Sequence, residues 1–162
     1  MQRRFLLMGL LIGLTACRSS DGDLGEMVNA GDQKMAVQLV SGFHAIENGW
    51  RWTEGNFAVG VKVPKRADTK GAVLVLRYGI PDVIQAKRQM TTIRASVAGT
   101  DLPEESTGRI GAQELRRDVP AEVFKDKTTV RLEFSVSPAT PPTGDDRREL
   151  GLIVHEVGLI RK

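Results

Sequence analysis

Apolar residues recur at every second position in several stretches of this chain, and that period confines it to strands with one face on a core and one on water. Val59, Val61 and Val63 alternate with Gly60 and Lys62; Ile93, Ala95 and Val97 alternate with Arg94 and Ser96. Val130, Leu132, Phe134 and Val136 alternate with Arg131, Glu133 and Ser135. Two further runs, 72–76 and 150–154, are apolar on both faces and fit central strands. Turn signals separate these stretches at Val63-Pro64, Gly79-Ile80-Pro81, 98–101 and the proline-rich 137–146. One short helical piece is expected at 119–125, where Pro120 suits a first turn. No helix long enough for a βαβ crossover is visible, so a parallel doubly wound sheet is disfavoured. The pattern predicts an all-β fold, an antiparallel β-sandwich of jelly-roll or immunoglobulin-like type with one short helix.

The N-terminus carries a different signal. Arg3 and Arg4 precede an apolar run, Phe5–Leu14, which is half the ~20 residues of a spanning helix and reads as a cleaved signal peptide over residues 1–16. The run ends in Leu14-Thr15-Ala16-Cys17, and Cys17 is the only cysteine. This pattern resembles the lipobox of bacterial lipoproteins, which implies that the Cys17 thiol takes diacylglycerol and its freed amine a further acyl chain such as palmitate. Two or three chains anchor a protein where one holds only marginally. Arg18 stands where inner-membrane lipoproteins carry an acidic retention residue, so the resemblance implies the outer membrane, facing the periplasm.

Without other cysteines, the mature domain must be stable in an oxidising compartment through its core alone. Loss of residues 1–16 removes two arginines and no acid, which lowers the formal charge from +3 to about +1. So balanced a charge argues against a nucleic-acid partner. Residues 18–36 show glycines, charges and no sustained apolar period, and read as a flexible tether with an r.m.s. reach of about 25 Å. The sandwich is then expected over residues 37–162.

Two segments stand out from the scaffold. The first, 41–53, contains Gly42, Phe43, His44, Glu47 and both tryptophans in Trp50-Arg51-Trp52; the second is Asp145-Asp146-Arg147-Arg148-Glu149-Leu150-Gly151-Leu152. Together they resemble a β-sandwich accessory module of bacterial glycosyltransferases and related polysaccharide enzymes. That module pairs an early Gly-aromatic-x-x-Glu…aromatic-Arg-Trp stretch with a late Asp-x-Arg-x-Leu-Gly-Leu strand. The resemblance implies an association with surface carbohydrate and no catalytic residues.

In an extended strand Trp50 and Trp52 project to one face and Arg51 to the other. An open face makes the two indoles a platform for sugar rings; a closed one makes them core, with their N–H groups bonded. Arg51 and Glu47 can meet Asp146 and Arg147 as an ion-pair cluster pinning an early strand to the last one, or the same groups can bind sugar hydroxyls. Candidate ligand-binding residues are therefore Trp50, Arg51, Trp52, Glu47 and His44.

His44 and His155 lack partners at metal-ligand spacing, so no metal or cofactor is expected. Nucleophile-elbow and phosphate-loop motifs are missing. The chain is expected to be a non-catalytic, lipid-anchored envelope protein that recognises surface polysaccharide or lipopolysaccharide. The alternative is a structural lipoprotein that docks an envelope protein assembly.

Overall fold

The computed structural model describes residues 24–162, and Cys17 with the rest of the leader lies outside the described residues. Ten strands form in the order β1 (Met27–Asn29), β2 (Leu39–Glu47), β3 (Trp50–Lys62), β4 (Ala72–Ile80), β5 (Thr91–Val97), β6 (Thr100–Asp101), β7 (Glu105–Thr107), β8 (Gly111–Val119), β9 (Thr129–Ser137) and β10 (Ile153–Arg161). Every pairing among them is antiparallel. Two short helices, α1 (Ala67–Lys70) and α2 (Asp82–Arg88), and two 3-10 turns fill the connections. The antiparallel β-sandwich expected from the period-two pattern is the fold observed.

Strand β3 joins the layers. Arg51 and Trp52 pair with β10, whereas Asn56–Lys62 pair with β9, so one strand enters one sheet and leaves through the other. The first layer runs β8-β4-β10 with β1 on the far edge of β10; the second runs β3-β9-β5 with β6 and β7 outside. A corner strand of this kind needs a bend. The partner strand β2 bends too, at Gly42, whose φ of +74° suits glycine and where a Cβ would lie 2.1 Å from the Asn56 carbonyl oxygen. An Asn48-Gly49 turn with positive φ at both residues closes the β2–β3 hairpin.

Register puts the alternating residues where their chemistry requires. Val59, Leu132 and Val97 stand opposite one another across three strands, as do Phe57, Phe134 and Ala95. All six are buried. Phe57 and Phe134 stack at 4.7 Å, worth about 1 kcal/mol beyond their burial. From the other layer, Leu74, Leu76, Tyr78, Leu115, Val157 and Leu159 complete a single core.

Four expectations need correction. The folded part starts well before residue 37: β1 pairs with β10, and Val28 is fully buried opposite Val157. A strand of three residues is too short to show a period. The last strand begins at Ile153 instead of Leu150, because Leu150-Gly151-Leu152 is bonded to Thr140 and Thr53 as it approaches the sheet. The piece at 119–125 is a single 3-10 turn, Ala121–Phe124, after Pro120. Helix α2 follows the Gly79-Ile80-Pro81 signal, which reads as a plain turn because a seven-residue helix shows only two turns of period.

The approach of residues 150–152 to the bend of β3 is tight enough to test. A Cβ on Gly151 would lie 2.1 Å from the Glu54 carbonyl oxygen and 2.4 Å from Thr53 Oγ1, both of them on β3. Gly151→Ala is expected to cost about 3 kcal/mol, lowering the thermal midpoint by roughly 10 °C in calorimetry. An unchanged midpoint would show that the corner is not the tight point of the fold.

Candidate functional site

The two segments singled out in the sequence, a hundred residues apart, meet at the hairpin end of the sandwich. Thr53 N–H donates to the Leu152 carbonyl at 2.9 Å, and Gly151 N–H donates to the Thr53 carbonyl at 2.6 Å. Leu152 N–H donates to Thr53 Oγ1 at 3.0 Å, and Gly55 N–H to Glu149 Oε1 at 2.7 Å. His44 Nε2 donates to the Glu149 carbonyl at 2.7 Å.

The ionic part of this clasp centres on Arg148. Its guanidinium grips Asp146 bidentately, Nε to Oδ1 at 3.0 Å and Nη2 to Oδ2 at 2.9 Å, and Nη1 reaches Glu47 Oε1 at 2.5 Å. Glu47 and Asp146 are thus brought together as expected, but through Arg148 and not Arg147, which is exposed and makes no ion pair among the described residues. Two consecutive arginines point to opposite sides of an extended chain, and the tight turn at Thr143–Asp146 selects the second. The Arg148 hydrogen bonds hold the Asp146 carboxyl well below its ordinary range, at about 2.

Arg51 takes no part in that cluster. It is only 9% exposed and donates Nε to Ala30 O at 2.8 Å, Nη1 to His44 O at 3.0 Å and Nη2 to Gln33 Oε1 at 3.0 Å. A guanidinium so placed fastens the segment after β1 to the hairpin, with its charge solvated by carbonyl dipoles. Arg88 does similar work on α2, donating to Thr140 Oγ1 and to the carbonyls of Leu150 and Gly151, and burial lowers its pKa.

Trp52 is 8% exposed and Trp50 half-buried, their rings edge to face at 6.2 Å and 85°. Two perpendicular rings do not form one flat platform. Trp50 is the ring of the pair that solvent reaches.

A second arrangement was not singled out in the sequence. On the outward face of the second layer, register lines up Asn56, Ser135 and Arg94 in one row, and Ser41, Ala58, Glu133, Ser96 and Asp101 in the next, across five strands. Small side chains make a floor, and Arg94, Arg131, Glu133 and Asn56 stand around it. The open groove holds about 350 Å³. Arg94 pairs with Glu104 at 2.9 Å and Arg131 with Glu133 at 3.0 Å, all four side chains about half exposed, so their remaining donors and acceptors face water. The small outward residues Ala58, Ser96 and Ser135 were the available signal, but only pairing shows that they adjoin. Among the described residues no group of three or more His, Cys, Asp and Glu is placed to hold a metal ion, and no helix is long and apolar enough to cross a membrane.

No protein-family model and no curated protein matches the chain. Among solved structures it is similar to the CBM36-1 domain of a multidomain xylanase from the hindgut metagenome of Trinervitermes trinervoides, at 10% identity over 82% of this chain and 94% of that one, with a TM-score of 0.45. It is also similar to a structure of CBM51-2 and INT domains of Clostridium perfringens ZmpB in complex with GlcNAc, at 10% identity and a TM-score of 0.40, covering 85% of this chain and 28% of that one.

Two outcomes follow from the clasp. Because the folded-state pKa of Asp146 is depressed, its contribution to stability is present above its ordinary value near 3.8 and is lost as pH falls from about 4 to about 2. Asp146→Asn should flatten the dependence of the urea midpoint on pH in that window, and an unaltered slope would place the effect on other carboxylates. In fluorescence, Trp50→Phe should leave a blue-shifted emission that acrylamide quenches poorly, and Trp52→Phe a redder, readily quenched one. The reverse order would contradict the burial of Trp52.

Proposed function

We propose that this chain is a non-catalytic binding domain, held to the cell envelope through acylated Cys17, whose outward groove recognises a carbohydrate chain of the cell surface. The observation that carries this reading is the pair of registered rows in which small residues form a floor between carboxylate, amide and guanidinium groups. Sugar hydroxyls are donors and acceptors at once, and planar side chains of these types engage two neighbouring hydroxyls together. The groove is long in the direction across the strands, which suits a chain more than a compact ligand. Phe57 and Phe134 turn their rings inward, so the groove offers hydrogen bonds without ring stacking, and its affinity for one site should be modest.

Lipid anchoring, an outer-membrane address facing the periplasm and a surface polysaccharide or lipopolysaccharide ligand belong to the same proposal. They are supported by Leu14-Thr15-Ala16-Cys17 with Arg18 after it, and by the two motif segments. Glu47, His44 and Arg51 are committed to the clasp and its surroundings and Trp50 lies at the hairpin end, so the groove and not this segment is the proposed binding face.

One observation favours the alternative, a protein-docking lipoprotein: Val83 in α2, Met90 just after it and Ile110 before β8 are each at least 50% exposed. Isothermal titration with purified envelope glycans separates the two. A glycan binder should lose affinity at least tenfold in Arg94→Ala and Glu133→Ala, with the thermal midpoint unchanged, and be indifferent to Val83→Ser. Binding that is absent for every glycan, or untouched by both groove variants, overturns the assignment of the groove.

A further inference from the structure

The point at which the chain leaves the sandwich toward Cys17 coincides with a surface rich in unpaired lysines. Gly25 is fixed at the end of β3: its carbonyl accepts from Lys62 N–H at 3.0 Å, and Gln38, 3% exposed, bonds both Gly25 N–H and its carbonyl and reaches Gly60 O at 2.9 Å. Only residues 18–24 lie between Cys17 and this anchor point, so the chain cannot carry Gly25 more than about 30 Å from the acylated residue. The domain as folded therefore hangs by this end on a short leash, not on a long tether.

Two connections build the surface there, 63–71 after β3 and 120–128 before β9. Their undersides are core: Phe124 is fully buried, Ala67 is 1% exposed and Val123 6%, and Val63 N–H donates to Thr128 O at 2.8 Å. With Lys62 at the end of β3, their outward side chains present Lys65, Arg66, Lys70, Lys125 and Lys127, all exposed, against three exposed acids, Asp68, Glu122 and Asp126. None of the six cations has a carboxylate within ion-pair distance among the described residues. On the sheets, by contrast, Arg77, Arg94, Arg116, Arg117 and Arg131 are all paired. Between the two connections a cleft of about 570 Å³ is lined by the cations Lys62, Arg66 and Lys127 and by the acids Asp68 and Asp126.

We propose that this end of the sandwich is a lipid-facing surface, on which these cations bind the phosphates of anionic headgroups in the leaflet that holds the acyl chains. The inference rests on acylation of Cys17. Cations held within a Debye length of an anionic surface gain from its potential, and an anchor that already confines them there makes the contact intramolecular. The hairpin end, with Trp50, Arg148 and the apolar residues of α2, is then directed away from the bilayer by up to about 40 Å, the length of a thirteen-residue strand. The groove on the sheet face lies sideways, open along the membrane plane.

The test uses the purified full-length mature protein in vesicles of phosphatidylcholine with or without 30% phosphatidylglycerol, with a fluorophore at Thr128→Cys or Asn48→Cys and a headgroup-attached quencher. Quenching at position 128 but not 48, present with phosphatidylglycerol and reversed by 0.5 M salt, is the expected result. Replacing Lys62, Lys65, Arg66 and Lys127 by Gln should reduce that quenching at least fivefold at an unchanged thermal midpoint. Equal quenching at both positions, or none at 128 in a protein whose intact mass shows the acyl chains, overturns the lipid-facing surface. A mass without acyl chains overturns the anchoring instead, and quenching at 128 on added anionic vesicles then still reads the surface by itself.

Discussion

Strand β3 belongs to both layers, and much of the remaining structure can be understood as what that sharing demands. A strand that pairs with β10 at one end and β9 at the other must turn between them, and its neighbours must either bend with it or leave room. Gly42 bends with it, Gly151 leaves room, and the Glu149 carboxylate takes the Gly55 N–H that the bend removes from the ladder. A backbone donor left buried and unpaired costs about 1–3 kcal/mol, so a side-chain acceptor at the corner is a condition of the fold.

The same demand explains why so many polar side chains are spent indoors. Gln38, Arg51, Gln85 and Arg88 are each buried or half-buried, and each donates to backbone carbonyls, Arg51 and Arg88 to those of loops and Gln38 and Gln85 to those of β3 and β7. No buried side-chain polar atom lacks a partner among the described residues. The loops at the hairpin end are thereby tied to the strands by side-chain hydrogen bonds, in a domain that has no disulfide within its described residues to hold them.

Function, in the proposed reading, uses what the scaffold leaves over. The outward face of the second layer keeps polar side chains free because its inner face alone supplies the core, and the lysines of the connections at the Lys62 end are free because the acids nearby are either paired with Arg161 and Lys162 or lie beyond ion-pair distance. Of the two conspicuous segments, His44, Glu47 and Thr53 of the first turn out to be occupied with Arg148 to Leu152 of the second.

The strands at 59–63, 72–76, 93–97 and 130–136 were legible from sequence because burial on one face writes itself into the spacing of a single segment. The link between the early and late motifs was legible in outline, since charges and tryptophans in such loops imply partners. The partner itself was not: Arg147 and Arg148 are chemically alike, and only the turn at Thr143–Asp146 decides which one faces Glu47. The β1 pairing, the seven residues of α2 and the groove from Ser41 to Asp101 were likewise decided in three dimensions. Alternation along one strand is a property of the chain; which strand lies beside it, in what register, is settled only when the whole core closes.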